Sequence, residues 1–451
     1  MKTIAQIAAE LQGYDPQALK ASDVNTFLDR LVEPVTATEE LPLFNALGRV
    51  LARDVVSPIS VPPHDNSAMD GYAFAGAQLV KGQPLTLRVV GTALAGKAWV
   101  GSVAAGECVK IMTGAIMPTG LDTVVPQEFT TSDGNQHITI AADVLQTGDN
   151  RRFKGEDLME GRVALARGEP LTPAALGLVA SLGLPTVTVV RRLRVAYFST
   201  GDEILSLGEP PREGAVYDSN RYTVFGLLTR LGVEVIDLGV VRDEPALLEA
   251  AFRQAAGQAD AIITSGGVSV GEADHTRTMM KKLGDVAFWR IAMRPGRPMA
   301  VGRIAATEFQ EKTGSGAYSS SASSYQNNSN PSPAGAVLFG LPGNPVAVMV
   351  TFLAFVRPAL LRMMGCTHAA PPLVRAISTE ALRKKPGRTE YQRGTVTTAP
   401  DGSLQVRTTG NQGSGVLSSM VQANGLIVLH HAQGNVAVGD AVDVMVFNGA
   451  I

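Results

Sequence analysis

Residues 193–203 read LRVAYFSTGDE and decide the fold class of the chain. The apolar run through Phe198 predicts a buried strand, and a polar turn containing glycine follows it directly. Strands are also predicted at 233–238, 261–264, 286–291 and 337–339, with helices at 220–231, 244–256, 276–283 and from 346. This alternation predicts a doubly wound, mostly parallel sheet, whose ligands bind at the carboxyl ends of the strands.

The flanking regions predict three further domains. Residues 22–52 have a helical pattern, with one helix around Phe27 and a second at 39–51, and Thr172-Pro173 opens another helix that ends at Gly183. Between them, many glycines, prolines and short alternating runs predict a β-rich insertion. We therefore expect an α/β multidomain protein: an N-terminal domain of residues 1–57 plus 151–190, an inserted β-rich domain at 58–150, the α/β domain at 191–370, and a small C-terminal β domain at 371–451. The Ser- and Asn-rich segment 308–335 is predicted to be a disordered surface loop.

Composition excludes several classes of protein. The 451 residues are 45% hydrophobic and 18% charged, with a net charge of −2, so nothing favours nucleic acid or an anionic membrane. Cys108 and Cys366 lack metal-ligand spacing and suit a reducing compartment. The N-terminus has no continuous apolar signal region, and the longest apolar stretch, 346–361, is interrupted by Arg357 and Pro358. We expect a cytoplasmic protein that binds anions only through a local basic cluster.

Polar turns at the predicted strand ends supply candidate ligand-binding residues. These turns are Ser199–Glu203, the segment towards Asp243, Ser265–Asp274 and Gly340–Pro345. Glycines there let backbone amides approach an oxyanion, and several such turns at one sheet edge are a stronger indication than any one alone. Their acidic residues are typical of a Mg²⁺ site, although each alone could equally cap a helix.

Other polar clusters lie outside these turns. Residues 289–297, WRIAMRPGR, could be a solvated strand face or an oxyanion site, with Arg290 and Arg294 on the same strand face. Residues 62–73, PPHDNSAMDGYA, hold more polar side chains than a simple turn needs. Residues 410–415, GNQGSG, form a candidate oxyanion loop, and Arg388 and Arg393 lie on a preceding strand.

Together these strings resemble the molybdopterin molybdenumtransferase family, the bacterial counterpart of the C-terminal domain of gephyrin. The matching strings, in chain order, are DNSAMDGYA, STGDE, YDSNRY, SGGVSVGEAD, RPGRP, GLPGNP, YQRG and GNQGSGVLSSM. The resemblance implies an elongated homodimer with its cleft between subunits, and contact with other proteins of molybdenum cofactor synthesis. It also implies Mg²⁺ as cofactor, adenylylated molybdopterin and molybdate as substrates, and release of AMP.

The resemblance assigns roles to individual positions. It implies catalytic roles for Asp65, Thr113, Asp157, Glu203, Asp243 and Asp274, of which Glu203, Asp243 and Asp274 are the metal ligands. It implies functional roles for Arg290, Arg294, Arg393 and Ser414, which we predict to bind substrate. We predict the same role for Ser199, Gly201, Ser219, Ser265, Gly266, Gly267, Ser269, Arg297, Pro342 and Asn344. Family members often have lysine where this chain has Arg290 and Arg294, and the segment 308–335 is a second departure.

Three alternative functions can be weighed. A molybdopterin adenylyltransferase is similar to the α/β domain alone, and the flanking domains argue against it. A receptor-clustering scaffold such as gephyrin would need a peptide-binding groove, and the sequence indicates none. A general nucleotide-binding protein would be expected to carry a Walker lysine motif, which the sequence lacks.

Overall fold

A computed structural model of the chain describes residues 2–134, 136–268, 275–306, 335–367, 370 and 372–447. The chain begins with helices α1 (Ile4–Ala9) and α2 (Ala21–Leu31). The apolar face of α2 packs into the core of the α/β domain, where the ring of Phe27 meets Trp289 edge-on at 4.9 Å. These helices were expected to belong to the N-terminal domain, and the structure instead joins them to the α/β core.

The split N-terminal region and the β-rich module follow. Their elements are β1 (Thr38–Pro42), β2 (Val55–Val56), β3 (Asn66–Ser67), β4 (Gly71–Phe74), β5 (Leu85–Ala93), β6 (Glu107–Ile111), β7 (Thr123–Pro126), β8 (Thr130–Ser132), β9 (His137–Ile140), β10 (Arg151–Arg152), β11 (Val163–Leu165), α3 (Pro173–Ser181) and β12 (Thr186–Val190). Strands β4 to β9 form one six-stranded sheet, while β1 pairs with β12 and β2 with β11. These pairings join the two flanks of the module, as an insertion requires.

The helix expected at 39–51 does not form. Residues 38–42 are strand β1, with alternating exposure, and only one 3₁₀ turn follows at Leu43–Asn45. A long-range contact overrides the local helical pattern, because β12, which is rich in β-branched residues, pairs antiparallel with β1 over five residue pairs. The helix at Thr172 is confirmed, since the Thr172 side chain accepts from the Ala175 amide and begins α3.

The α/β domain is built as the sequence predicted. Its elements are β13 (Arg194–Thr200), β14 (Ile204–Leu205), β15 (Val216–Tyr217), α4 (Ser219–Leu231), β16 (Glu234–Val241), α5 (Pro245–Gln258), β17 (Ala261–Ser265), α6 (His275–Leu283), β18 (Gly284–Arg290), β19 (Met293–Arg294), β20 (Pro298–Ile304), β21 (Ala336–Leu341), α7 (Pro345–Thr351) and α8 (Arg357–Met363). The sheet order is β16-β13-β17-β21-β20-β18, in which the first four strands are parallel and β20 pairs antiparallel with both β21 and β18. Helices α5 and α6 cover one face, and α4 and α7 cover the other. Strand β20 is an element that the sequence did not predict. The segment 308–335 lies outside the described residues except for Gly335.

The apolar stretch that Arg357 and Pro358 interrupt in the sequence forms one helical run, as the helix predicted from 346 requires. A π-turn at Phe352–Val356 connects α7 to α8, and Pro358 lies in the first turn of α8. A wider turn of this kind accommodates Pro358, which has no amide hydrogen to donate. Within the described residues one helical run, Pro345–Met363, has the length and composition of a membrane span, and 67% of its apolar window is buried inside the protein.

The C-terminal region, predicted as a small β domain, is a closed β-barrel. Its elements are β22 (Leu373–Ser378), β23 (Thr389–Thr398), β24 (Leu404–Thr408), α9 (Ser418–Gln422), β25 (Gly425–Leu429) and β26 (Ala441–Val446). The order β23-β24-β22-β26-β25 closes through pairing of β23 with β25. Strand β19 of the α/β region adds to β23, so the two domains share a sheet.

Candidate functional site

A cavity of about 540 Å³ lies where the α/β domain meets the barrel. It is lined by the turn at 293–298, the start of α7 and the loop at 412–414. Five predicted binding residues are gathered there from three distant segments: Arg294, Arg297, Pro342, Asn344 and Ser414. The backbone carbonyl of Ser414 accepts from the Val346 amide at 3.1 Å, which fixes the barrel loop to the start of α7.

Arginines give this cavity its positive charge. Arg294 and Arg297 are exposed, and neither makes an ion pair within the part of the chain that is described. A third arginine, Arg388, is bound to the buried carboxylate of Glu390 at 2.7 Å. Two cations therefore remain free to meet an anion in a cavity that includes backbone at Gly343 and Gly413.

The predicted pairing of Arg290 with Arg294 on one strand face is wrong. Strand β18 ends at Arg290, and Arg294 belongs to the short strand that joins the barrel sheet. The Ile291 amide donates to the Arg297 carbonyl at 2.7 Å and closes the turn between β18 and β20, so Arg294 lies within that turn. Gly296 makes this turn with φ of +90°, and a Cβ there would come within 2.5 Å of Thr351 Oγ1. Arg290 does not line the cavity.

Arg393 is buried behind the cavity rather than open to it. Only 1% of the residue is exposed, and its guanidinium donates to Ser419 Oγ and to the carbonyls of Asn411 and Gly413 at 3.0–3.1 Å. The Gln412 side chain pairs with the backbone of Arg393 in both directions. Burial, with a smaller contribution from Arg294, lowers the pKa of Arg393 to about 10, so it stays charged at neutral pH. A pocket of about 60 Å³ separates Arg393 from Arg294.

At the carboxyl edge of the sheet, two predicted binding serines are turned inward. Ser199 and Ser265 are 1% and 2% exposed, and both bond the Tyr197 hydroxyl, at 2.9 and 2.6 Å. Burial raises the pKa of Tyr197 well above its ordinary value. Gly266 and Gly267 have positive φ, and a Cβ on either would meet Thr200 or Thr276 within 2.5 Å. The serines therefore hold neighbouring strands together. Glycine is required at 266 and 267 because a side chain there would collide with Thr200 or Thr276.

Three buried polar atoms at this edge have no hydrogen-bond partner within the described chain. They are Oγ1 of Thr200, Oδ2 of Asp218 and Oδ1 of Asn220, in residues that are all more than nine-tenths buried. The other carboxylate oxygen of Asp218 caps α4, beside the half-buried Ser219, and the Asn220 amide donates to Gly343. Residue-by-residue reasoning missed these three, although YDSNRY at the helix start contained two of them.

The acidic residues expected to bind metal are only partly described. Glu203 is exposed and folds back towards Gly201, where a Cβ would lie 2.6 Å from its carboxylate. Asp243 accepts from Thr276 Oγ1 at 3.1 Å, and its amide donates to Asp202 Oδ1 at 3.3 Å. Asp274 and Ser269 lie outside the described residues. The described ranges contain no group of three His, Cys, Asp or Glu side chains arranged for a metal ion.

A second polar cluster lies in the β-rich module. Thr113 donates through its amide and its hydroxyl to Asp70 Oδ1, both at 2.7 Å, and these bonds lower the pKa of Asp70. Asp65 accepts from the Lys154 amide at 2.8 Å, and Asp157 is exposed. None of these residues lines the arginine-lined cavity.

Comparison with known proteins identifies the chain. Residues 18–183 match the MoeA N-terminal region (domain I and II), residues 196–362 a probable molybdopterin-binding domain, and residues 375–447 the MoeA C-terminal region (domain IV). The molybdopterin molybdenumtransferase of Haemophilus influenzae is 41% identical over 93% of this chain and 96% of its own length. The chain belongs to the molybdopterin molybdenumtransferase family.

Other members of this family agree with the assignment. The molybdopterin molybdenumtransferase of a Nostoc species is 34% identical over 91% of this chain and 88% of its own. A crystal structure of the molybdopterin biosynthesis moeA protein from Pyrococcus horikoshii covers 96% of this chain and 100% of its own, with a TM-score of 0.75 and 25% identity. The resemblance inferred from the eight strings and the predicted fold class are confirmed.

Proposed function

We propose that this protein is a molybdopterin molybdenumtransferase, which transfers molybdenum from molybdate to adenylylated molybdopterin with release of AMP. The observation that carries the proposal is the arginine-lined cavity, which combines two unpaired guanidinium groups with backbone at Gly343 and Gly413. The substrate bears a phosphoanhydride and the co-substrate is an oxyanion, and both classes bind well to arginine forks and backbone amides.

Arg294 and Arg297 would act by charge and geometry. A guanidinium stays protonated in a protein, so neither residue can remove a proton from the nucleophile. They would instead hold the anhydride oxygens and offset the negative charge that develops as phosphorus is attacked by molybdate or water and AMP leaves. The backbone around Gly413, held by buried Arg393, would fix the far side of the ligand.

Magnesium suits the acids at the sheet edge. Glu203 and Asp243 offer hard carboxylate oxygens at neighbouring strand ends, and the Asp202 contact ties the two loops together. Glu203 is exposed and Oδ2 of Asp243 has no hydrogen-bond partner among the described residues, so both can reach a cation. With Asp274 they would hold Mg²⁺, which when bound would polarise the phosphoanhydride.

We also infer that the active unit is a cytoplasmic homodimer. One chain carries two separate polar clusters, around Asp65 and Thr113 in the β-rich module and around Arg294 in the cavity. In a dimer, the Asp65 and Thr113 cluster of one subunit would face the Arg294 cavity of the other.

Light scattering measures the molecular mass of the protein in solution and so tests for a dimer. Mixing an inactive Asp65→Asn subunit with an inactive Glu203→Gln subunit should restore part of the activity, because some cleft would then contain no substitution.

The deciding experiment measures AMP release from adenylylated molybdopterin with molybdate and Mg²⁺ present together and separately. The proposal expects release that depends on both, accompanied by molybdenum in the pterin product. AMP transfer from ATP to free molybdopterin would indicate an adenylyltransferase instead. Arg294→Ala supplies the loss-of-binding variant, and Arg253→Ala is a matched control, because Arg253 lies on α5 and pairs with Glu249.

A further inference from the structure

Asn220, in the first turn of α4, joins that helix to the turn before α7. The residue is 7% exposed, and its side-chain amide donates to the Gly343 carbonyl at 2.7 Å. Because a carbonyl only accepts, Nδ2 must face it and Oδ1 must face elsewhere. The first turn of α4 is itself fixed, since the Asp218 side chain accepts from the Arg221 amide at 3.0 Å. Asn220 is therefore a rigidly held donor that meets one peptide group of the turn at 342–344.

Helix packing alone does not explain an asparagine at this position. Oδ1 of Asn220 is buried and has no hydrogen-bond partner among the described residues, and the same is true of Oδ2 of the adjacent Asp218. An acceptor buried in this way costs free energy, which an apolar side chain of the same shape would avoid. Positions that break a local rule without a stabilising return are the ones expected to serve function.

The bond from Asn220 sets the orientation of the peptide between Gly343 and Asn344. Within the described chain the Gly343 carbonyl accepts from Asn220 alone, and the Asn344 amide has no partner. Both residues of this peptide are exposed and line the arginine-lined cavity, whereas no residue of α4 does. The peptide is trans, so its carbonyl and its N–H point in opposite directions. Holding the carbonyl against α4 therefore turns the Asn344 N–H away from α4, towards the cavity.

We propose that Asn220 is a positioning residue that directs the Asn344 N–H into the arginine-lined cavity as a donor to a bound oxyanion. Asn220 acts only through the Gly343 carbonyl and does not touch the ligand. Without this bond, glycine at 343 leaves the peptide free to rotate at little cost, and the donor is lost from the cavity. The inference rests on the proposed function for the class of ligand, an inorganic oxyanion or a phosphate group.

Calorimetric titration of the full chain with sulfate and with molybdate tests this role in Asn220→Leu and Asn220→Asp. At neutral pH, Asn220→Leu should bind sulfate about tenfold more weakly, because one hydrogen bond to a charged oxyanion is lost. Asn220→Asp should bind at least as weakly while its carboxylate is ionised, because that group repels the Gly343 carbonyl. Burial raises the pKa of such a carboxyl.

Lowering the pH separates positioning from a simple charge effect. Once protonated, the carboxyl of Asn220→Asp can donate to the Gly343 carbonyl, so sulfate affinity should recover beyond that of Asn220→Leu at the same pH. Neutralising the charge alone would restore it only to the Asn220→Leu level. Wild-type protein titrated in parallel controls for Asp218, two residues away. Asn150→Asp is the matched control and should bind like wild type, because its amide also donates to a backbone carbonyl, that of Val124, outside the cavity.

Several outcomes would overturn the proposal. They are an unchanged sulfate affinity in Asn220→Leu, recovery of Asn220→Asp no further than Asn220→Leu, and a wild-type protein that binds neither anion. A purely structural role would lower the melting temperature of both variants and leave affinity unchanged. AMP release on the same samples separates this inference from the proposed function. Anion binding that depends on Asn220 without AMP release would refute the function alone, and normal AMP release with unchanged sulfate affinity in Asn220→Leu would refute the positioning role alone.

Discussion

Replacing Arg393 by methionine tests whether this residue holds the loop at 410–415 in place. The change keeps an unbranched side chain of similar length but removes three charge-assisted hydrogen bonds, to Ser419 Oγ and the carbonyls of Asn411 and Gly413. Such bonds contribute about 1.5–3 kcal/mol each, and relief from burying a charge offsets part of their loss. We expect the loop to lose about 2–4 kcal/mol of local stability.

Hydrogen exchange with mass spectrometry measures this loss directly. Each 1.4 kcal/mol changes an opening equilibrium tenfold, so amides in residues 410–416 should exchange about 30- to 1,000-fold faster in Arg393→Met. Arg393→Lys keeps the charge but not the planar fork, and should restore only part of the protection. Arg383→Met is the matched control, because Arg383 borders the same small pocket but is exposed.

A different outcome would refute this reasoning. If exchange at 410–416 stays unchanged in Arg393→Met while substrate affinity falls, then Arg393 contacts the ligand itself, as the family resemblance implies. If the loop loosens and the catalytic rate falls with it, Arg393 acts by positioning. Measuring KM and kcat on the same samples separates the two, since a direct contact to bound substrate should raise KM even where the loop remains protected.

Four further predictions concern other parts of the molecule. Glu203→Gln should abolish AMP release at limiting Mg²⁺ while leaving the circular dichroism spectrum unchanged, and near-normal turnover would remove Glu203 from the metal site. Arg294→Lys should keep appreciable activity and Arg294→Ala should raise the substrate Kd, whereas equal and complete loss in both would indicate a need for the bidentate fork. Thr113→Val should raise the pKa of Asp70 in an NMR titration, because the hydroxyl bond lowers it; the stability that Asp70 supplies is present above its unfolded pKa and is lost as pH falls through the lowered one. Deleting residues 308–333 and joining the paired strands β20 and β21 by a short glycine turn should leave melting temperature and rate largely unchanged, and a large fall in rate alone would make the segment a functional lid.

The elements that could be predicted are those whose signal lies in neighbouring residues of the sequence. Apolar runs ending in polar, glycine-containing turns gave β13, β17 and β21 with small boundary errors, and Thr172-Pro173 gave the start of α3. Strand β1 was mistaken for a helix because its partner, β12, lies almost 150 residues further along the chain. The spacing of apolar residues shows that one face of an element is apolar, but it does not show which other element packs against that face.

The candidate site also has a part that the sequence predicts and a part that it does not. Residue type and spacing were enough to find Arg294, Arg297, Asn344 and Ser414, which the folded chain gathers in one cavity. They could not reveal that Arg393 points into a network of its own, since a buried and an exposed arginine look alike in a sequence. They also gave no sign that Arg290 and Arg294 fall in different sheets, because that depends on the pairing of residues 293–294 with the distant strand β23.

The docking of α2 has a consequence for how the protein is made. On the ribosome, Phe27 appears about 260 residues before Trp289, the ring it packs against. At roughly 5–20 residues per second, the interval is about 13–50 s. Throughout that interval the apolar side of α2, with Val24, Phe27, Leu28 and Leu31, can make only its local native contacts, with α1 and with the ring of Tyr14. The first helices of the chain therefore wait for the α/β core before they can dock, and nascent chains shorter than about 300 residues should leave the remaining apolar side of α2 exposed to chaperones.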